Sequence, residues 1–406
     1  MKILILDTVH GGDVLAERLM TDHEVVCSDV YGITDPEIVA RLRSMFVEVS
    51  LWVPPPGEYD LVLRPEHCPD FYLKDVESEY VENFSWAVGQ LLEDDRPRIE
   101  VTGVKGKTSV CYLLAHVLSH AGNKVFLHTS RGRGEYSDGK HLISENMSIA
   151  PPSLLRLPEG DYDVLIQEVS LGGSGKADVA VITNLAEDYG IAKDTRKASE
   201  AKKWILSDGI NVVPSEEVAF WEGLSGKRVT GYGGTVELVS EPRVGEPLQI
   251  NLDYMGVRMR VSLSGDYLSI QYVKTIECVA RVCEAMGDVS PATLSKALTT
   301  FRGVPGRGEL SREGGMIRII ERNPGVSALS IGNTLASVDA MGGLENSFAI
   351  VDPVSRKVCE TLVPEDVKRT FESRGVPYAV TEKGRPRPVP PEGTRVLMEF
   401  IKEGYQ

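Results

Sequence analysis

The sequence feature that most constrains the fold of this chain is a glycine- and lysine-containing segment between a strand pattern and a helix pattern. The segment reads Thr102-Gly103-Val104-Lys105-Gly106-Lys107-Thr108-Ser109. Residues 98–101 have the pattern of a strand, and the apolar residues after the segment recur at helical spacing as far as Gly122. Glycines at a helix N-terminus present backbone N–H groups and the positive end of the helix dipole to an anion. The pattern therefore predicts a phosphate-binding loop in an α/β sheet.

The spacing of this loop is Gly-x-x-Gly-Lys-Thr, which is shorter than that of common P-loops. The shorter form also occurs by chance, and an ordinary strand-to-helix turn is the alternative interpretation. Lys107 would place a positive charge on the outer phosphates, and the Thr108 hydroxyl would bind Mg²⁺. Because a strand precedes the loop and a helix follows it, we predict that the chain binds a nucleoside triphosphate.

Length and composition exclude several classes of protein. The chain has 406 residues, 42% of them hydrophobic and 25% charged, which predicts two or three domains of a soluble, cytoplasmic protein. No apolar run approaches the roughly 18 residues of a membrane span, and the N-terminus does not resemble a signal peptide. A formal net charge of −15 argues against nucleic acid as a partner. An anionic substrate would need a local cluster of Lys and Arg.

The metal-ligating residue types show no pattern along the chain. The 6 cysteines are scattered without a Cys-x-x-Cys pair, so we expect buried, reduced thiols and no zinc site. The 7 histidines show no metal-ligand spacing either. We therefore expect no zinc site in this protein.

Further polar residues stand where predicted strands end. Glu168 ends one buried strand and Asn184 follows another, and ligands of open α/β sheets bind outside the carboxyl ends of the strands. Lys202 lies on a predicted helix, Arg307 lies between two glycines, and Asn323 precedes a proline. These positions are the candidates for a site built around the phosphate loop.

Taken in this order, the segments resemble those of the Mur ligase family, ATP-dependent ligases that activate a carboxylate as an acyl phosphate. The resemblance covers nearly the whole chain and is strongest at residues 102–108, 168–170, 183–184 and 304–307. It implies an α/β fold with a Rossmann-like N-terminal domain, a central P-loop ATPase domain with a parallel sheet, and a small Rossmann-like C-terminal domain. The expected boundaries are residues 1–95, 96–305 and 306–406.

The resemblance also implies roles for individual residues, with ATP and Mg²⁺ as cofactors. The catalytic residues would be Lys107, Glu168, Lys202 and Arg307. Thr108 would bind one Mg²⁺ at the phosphates, and Glu168 would bind a second Mg²⁺ next to the acyl phosphate. Lys202 matches a lysine that many family members convert to a carbamate with CO₂. The implied ATP-binding residues are Gly103, Val104, Lys105, Gly106, Lys107, Thr108, Ser109, Asn184, Arg307 and Asn323.

Each of these roles has a structural alternative. Glu168 could end its strand in an ion pair with a nearby lysine. Lys202 could be a solvated helix lysine, because Lys197 and Lys203 are its neighbours. The Asn323-Pro324 pair could simply start a turn.

The chain departs from the family pattern at several places. Members have Asp-His after the strand of Asn184, where this chain has Asp188-Tyr189, so the second metal site could differ. The segment that holds adenine in the family is not visible. A tyrosine in that region could stack on adenine or pack in the core, and the residues there are Gln271, Tyr272 and Thr275.

The family's amino-acid-recognition motif is absent and the last domain is short, which indicates that no free amino acid is added. In this the chain resembles archaeal family members of nickel-tetrapyrrole biosynthesis in methanogens. That resemblance implies activation of a propionate side chain of a seco precursor, closure of a carbocyclic ring by an internal carbon nucleophile, and release of ADP and phosphate. Candidate contacts to this anionic substrate, of which the basic ones could equally be solvated turn residues, are Arg64, His67, His128, Arg131, Arg133 and Ser148.

Two other functions remain open from the sequence. A Mur-type peptide ligase would add an amino acid to a pseudomurein or cofactor carboxylate. A nucleotide-dependent binding module without ligase activity would bind ATP but show no dependence on a carboxylate.

Overall fold

A computed structural model describes residues 1–353 and 362–403 of the chain. The chain forms two compact units, one made of Met1–Cys111 and Asn123–Tyr232 and the other of Tyr112–Gly122 and Gly233–Gln406. None of the helices in the described ranges has both the length and the apolar character that crossing a bilayer requires. The predicted domain boundaries at residues 95 and 305 stay predictions.

The N-terminal part of the first unit is a five-stranded parallel sheet with strand order β3-β2-β1-β4-β5. Its strands are β1 (Lys2–Leu6), β2 (Glu24–Asp29), β3 (Glu48–Leu51), β4 (Gly57–Arg64) and β5 (Val76–Asn83). Its helices are α1 (Gly12–Leu19), α2 (Pro36–Ser44) and α3 (Phe84–Leu91). Asn83 starts α3 because its side chain accepts the Trp86 N–H at 2.8 Å. Buried residues of β1, α1 and α3 form the core on one face of the sheet.

The second sheet of this unit has eight strands in the order β15-β14-β11-β6-β10-β7-β8-β9. Its strands are β6 (Arg98–Thr102), β7 (Val125–Thr129), β8 (Gly132–Ser137), β9 (Lys140–Glu145), β10 (Val164–Glu168), β11 (Val179–Ile182), β14 (Ile210–Pro214) and β15 (Thr230–Tyr232). The helices are α4 (Lys107–His120), α5 (Ala198–Lys202) and α6 (Val218–Ser225), and a small hairpin is formed by β12 (Gly190–Ile191) and β13 (Arg196–Lys197). All residues of β6, β7, β10 and β11 are buried, as the apolar runs in the sequence predict.

The second unit contains an antiparallel three-stranded sheet and a mostly parallel five-stranded sheet of order β19-β20-β23-β21-β22. The strands are β16 (Val236–Leu238), β17 (Leu248–Tyr254), β18 (Val257–Leu263), β19 (Arg307–Glu313), β20 (Met316–Asn323), β21 (Ser347–Asp352), β22 (Tyr378–Val380) and β23 (Val396–Lys402). The helices are α7 (Val273–Met286), α8 (Pro291–Thr300), α9 (Ala328–Ala340) and α10 (Pro364–Glu372). Only β19 runs antiparallel to its neighbour in the larger sheet.

These sheets confirm the predicted α/β fold with parallel sheets in three regions of the chain. Strand β15 pairs in parallel with β14. Strand β7 continues through Thr129 and returns as β8 after the two residues Ser130 and Arg131. The cysteines in the described ranges are buried, as expected, and Cys359 lies outside those ranges.

Candidate functional site

The predicted phosphate loop lies between the end of β6 and the start of α4. Gly103 and Gly106 have φ angles of 138° and 86°, which side chains rarely allow. A Cβ atom on Gly103 would lie 2.0 Å from the Thr183 Oγ1 atom, so the loop backbone packs directly on the end of β11. The first turn of α4 leaves amide groups without helical partners, and its dipole is positive there. The loop therefore has the backbone form of a phosphate cradle.

Residues after β11 hold this loop from one side. Thr183 Oγ1 donates to the Lys105 carbonyl oxygen at 2.6 Å, and Asn184 Nδ2 donates to the same oxygen at 2.9 Å. The Val104 N–H donates to the Asn184 carbonyl at 3.0 Å. Asn184, predicted as an ATP-binding residue, thus fixes the shape of the loop.

The oxygen donors predicted for a metal ion are adjacent. Glu168 ends β10 with only 2% of its surface exposed, and Thr108 Oγ1 donates to its Oε2 atom at 2.9 Å. The Ser130 N–H donates to the same oxygen at 3.1 Å. A buried carboxylate beside a hydroxyl, at the start of a phosphate-loop helix, is the donor set that Mg²⁺ takes together with phosphate and water oxygens. The side chains of Thr108 and Glu168 are therefore suited to bind Mg²⁺.

Sequence reasoning did not single out Ser130. It occupies the two-residue turn between β7 and β8, at the same sheet edge as Glu168. Its position directly after a buried parallel strand was the available signal.

Lys202 is a buried lysine beside this loop, with 1% exposure. Its Nζ atom donates to the Ser170 carbonyl at 2.8 Å and to the Gly103 carbonyl at 3.0 Å. Burial, reinforced by the positive charge of Lys107, lowers the pKa of Lys202 well below its usual value, against the opposing effect of Glu168. The alternative of a solvated helix lysine is wrong. A buried amine that gives up its proton readily has the chemistry that carbamate formation with CO₂ needs.

Asp188 determines where the helix of Lys202 begins. Its two carboxylate oxygens accept the Ser199 N–H at 2.9 Å and the Ser199 hydroxyl at 2.8 Å. Tyr189, which stands where family members have histidine, is 41% exposed. The aspartate therefore anchors α5.

Arg307 and Asn323 belong to the second unit. Arg307 starts β19 opposite Glu321 of β20, and its charge opposes the effect of burial, which raises the pKa of Glu321 to about 7. Asn323 ends β20 with 5% exposure, and its carbonyl accepts the Val326 N–H at 3.4 Å. Both side chains thus lie at the ends of neighbouring strands of one sheet.

Tyr272, one of the residues in the region where the family holds adenine, is a core residue. It is 3% exposed, and its ring meets that of Tyr267 edge-on at 4.7 Å between centroids. Its hydroxyl accepts the Val304 N–H at 3.1 Å and donates to the Arg307 carbonyl at 3.3 Å. The packing interpretation therefore fits this tyrosine, which supports the backbone around Arg307.

The predicted substrate contacts near β7 do not form one cationic cluster. His128 lies within β7, is 1% exposed, and burial lowers its pKa to about 4, so it carries no charge at neutral pH. Arg133 lies on β8, where it donates to the Arg156 carbonyl at 2.8 Å and lies 5.4 Å from the Phe126 ring centroid. Only Arg131, in the turn, and the exposed Ser148 keep positions that a substrate could reach without rearrangement. The structure thus contradicts a cationic role for His128.

The two predicted substrate contacts at and after the end of β4 in the N-terminal sheet are Arg64 and His67. Arg64 forms an ion pair with Asp70. Burial lowers the pKa of His67 to about 4, so His67 too is neutral at pH 7, which contradicts a cationic role for it. Contrary to the expectation from histidine spacing, His67 lies beside His10 and Asp7, which are far away in the sequence.

The central part of the site matches a known protein domain. Residues 101–215, which contain the phosphate loop, Glu168 and Lys202, match the Mur ligase middle domain. This match and the similarity to curated ligases support an ATP-dependent ligase.

The curated proteins that the chain resembles include coenzyme F(430) synthetases and UDP-N-acetylmuramoylalanine--D-glutamate ligases. The coenzyme F(430) synthetase of Methanosarcina acetivorans is 29% identical over 419 residues, which cover 92% of this chain and 88% of the relative. The coenzyme F(430) synthetase of Methanocaldococcus jannaschii is 32% identical over 219 residues, covering 49% of this chain and 48% of the relative.

A solved structure shares the fold. The MurF ligase of Thermotoga maritima in complex with ADP is 14% identical, has a TM-score of 0.56, and covers 97% of this chain and 95% of its own. At this identity the likeness concerns the fold alone.

Proposed function

We propose that this chain is a coenzyme F-430 synthetase, which uses ATP to activate a propionate carboxylate of an anionic nickel-tetrapyrrole seco precursor. The observation that carries the proposal is the meeting of Lys107, Thr108, Glu168 and Lys202 at the carboxyl ends of β6, β10 and β11. The similarity to coenzyme F(430) synthetase over 92% of the chain supports the choice of substrate.

In the proposed reaction the γ-phosphoryl group moves from ATP to a propionate oxygen, giving an acyl phosphate and ADP. A carbon of the macrocycle then loses a proton and attacks the acyl carbon, a carbon–carbon bond closes the ring, and phosphate leaves. The two anions that must meet in the first step repel, so positive groups have to be held in place.

Several residues of the chain would each contribute to this positioning and charge neutralisation. Lys107 would neutralise the outer phosphates, with backbone amides of the loop around Gly106 orienting them. Mg²⁺, held by Thr108 and Glu168, would supply further charge neutralisation. Lys202, as the carbamate, would provide a negative group beside Lys107 and Glu168. Arg307 is proposed to contact the γ-phosphate.

The test is an ADP-release assay with the purified chain, ATP and Mg²⁺. One reaction receives the nickel seco precursor, and parallel reactions receive a panel of amino acids with cell-wall peptides or cofactor carboxylates. We expect ADP only with the precursor, together with a ring-closed product of unchanged nickel content. ADP that forms only when an amino acid is supplied would instead identify a peptide ligase. ATP binding without turnover on any carboxylate would identify a binding module.

A further inference from the structure

Three side chains outside the phosphate-loop site converge at the carboxyl edge of the N-terminal sheet. Asp7 follows β1, and His67 comes shortly after β4, which is paired with β1. His10 lies just before α1. The strand order reverses at β1, and ligands of open α/β sheets bind where the order reverses. The cluster therefore occupies a ligand-binding position of its own sheet.

The ligating atoms of these three residues all lie within 4.8 Å of one another. Asp7 Oδ2 is 3.9 Å from His67 Nε2, and the same oxygen contacts His10 Nδ1. The Asp7 side chain is fully buried, whereas those of His10 and His67 are 37% and 27% exposed. The cluster thus has a buried carboxylate at its base and opens towards solvent on the histidine side.

The backbone fixes the orientation of Asp7. Its Oδ1 atom accepts the Val9 N–H at 2.6 Å and the His10 N–H at 3.4 Å, which leaves Oδ2 directed at the two imidazoles. Asp7 also has a φ angle of 80°, an unusual value for a residue with a side chain. Hydrogen bonds that hold one carboxylate oxygen and present the other are typical support for a metal ligand.

His67 is held in position by neighbouring rings. Its ring meets the His10 ring edge-on, with 4.4 Å between centroids, and lies nearly parallel to Tyr31 at 6.1 Å. In the part of the chain that the structure describes, the buried Nε2 atom has no hydrogen-bond partner. Buried polar nitrogens are normally satisfied, and an unsatisfied one calls for an explanation such as an ion.

We propose that Asp7, His10 and His67 bind a divalent transition-metal ion, with Zn²⁺ as the reference ion. Two imidazoles and a carboxylate form a ligand set for Zn²⁺ and similar ions, and a fourth position would stay open to water. In a tetrahedral site with metal–ligand bonds of about 2.0 Å, the ligand atoms lie about 3.3 Å apart. Small rotations of the three side chains would bring their ligand atoms to this spacing. A nickel ion within a macrocycle has no room for three protein ligands, so the occupant is a free ion. This inference does not rest on the proposed function.

The experiment is a titration of the full chain, first stripped with chelator, with Co²⁺ as the spectroscopic substitute for Zn²⁺. Excess Mg²⁺ in the buffer occupies the phosphate-loop site. We expect one equivalent of Co²⁺ to bind with a visible absorption band that Zn²⁺ removes. His67→Ala and His10→Ala should each weaken binding by at least about 100-fold, the upper end of the loss caused by removing a supporting residue. His23→Gln, which changes a histidine outside the cluster, should bind as the unchanged chain does.

Thermal unfolding provides the second readout. Zn²⁺ should raise the unfolding midpoint of the unchanged chain and of His23→Gln, but not that of the ligand variants. His67→Gln replaces His67→Ala if the latter does not fold. Absence of stoichiometric Co²⁺ binding to the unchanged chain, or equal binding by the ligand variants and the control, would overturn the proposal. Neither readout involves ligase activity, so failure here leaves the proposed function standing.

Discussion

The ammonium groups of Lys107 and Lys202 both donate to a single backbone oxygen, the Gly103 carbonyl, at 3.2 and 3.0 Å. Burial disfavours the charge on Lys202 and repulsion by Lys107 adds to this effect, so the pKa of Lys202 is well below its usual range. The lowered pKa favours the neutral amine of Lys202, which is the form that reacts with CO₂.

Replacement of Lys202 tests the carbamate directly. We expect Lys202→Ala to reduce ADP formation by at least about 100-fold, because the negative carbamate that would support a metal ion beside the acyl phosphate is lost. Short carboxylates such as acetate or formate should restore part of the rate by filling the vacated space. Lys203→Ala, a change of the adjacent and more exposed lysine, is the matched control and should keep its rate. A fully active Lys202→Ala variant would refute the role.

The phosphate loop is tested by Lys107→Ala. This variant should lose ADP formation by at least about 100-fold, since the outer phosphates lose their positive partner. Lys107 is only partly buried, so the unfolding midpoint should change little. The measurements are ADP release and thermal unfolding of the same sample. Turnover near that of the unchanged chain would remove the phosphate-loop interpretation.

The carboxylate of Glu168 should control the response to Mg²⁺. In Glu168→Gln a neutral amide replaces the buried carboxylate that accepts the Thr108 hydroxyl and the Ser130 amide. We expect the Mg²⁺ concentration for half-maximal ADP release to rise by at least about 10-fold, because magnesium requires charged oxygen ligands. Glu217→Gln, at a partly buried carboxylate elsewhere in the unit, is the control. An unchanged Mg²⁺ dependence would exclude Glu168 as a metal ligand.

Glu66 should make the stability of the chain depend on pH. It is 3% exposed, and burial raises its pKa to about 7 despite hydrogen bonds from Ser85. The folded chain then holds a proton that the unfolded chain releases near pH 4.5, so the stabilising contribution is full below that pH and is lost as the pH rises to about 7. The difference corresponds to at most about 3 kcal/mol.

The Glu66→Gln variant resembles the protonated form, so it should be more stable than the unchanged chain at pH 8 by up to about that amount. The advantage should shrink as the pH falls towards 5. Urea unfolding at the two pH values measures it. A variant that is less stable than the unchanged chain at pH 8 would contradict the assigned direction of the pKa shift.

Much of the fold could be predicted from the sequence because buried parallel strands are continuous apolar runs. Strand β6 covers the predicted residues 98–101 and helix α4 follows the loop as predicted, and Glu168 and Lys202 lie beside the phosphate loop as the family resemblance implies. These features depend on local periodicity and on the rule that parallel strands bring their carboxyl ends to one edge.

What the sequence did not reveal depends on side chains that meet across large separations. The Asp7 and His67 atoms are brought together only by the pairing of β1 with β4. His128 was predicted as a cationic substrate contact, but its ring is buried within β7. Hydrophobic periodicity predicts that a strand forms. The direction of one polar side chain, and the residues around it, depend on other elements of the fold.

The bond between Asp188 and Ser199 has a consequence for how such a ligase can diversify. The aspartate anchors the short helix that carries Lys202, and this anchoring needs nothing from position 189. The aspartate of the family's Asp-His pair can therefore be kept to hold α5 while the next residue changes from histidine to tyrosine. Such a change at position 189 need not displace Lys202.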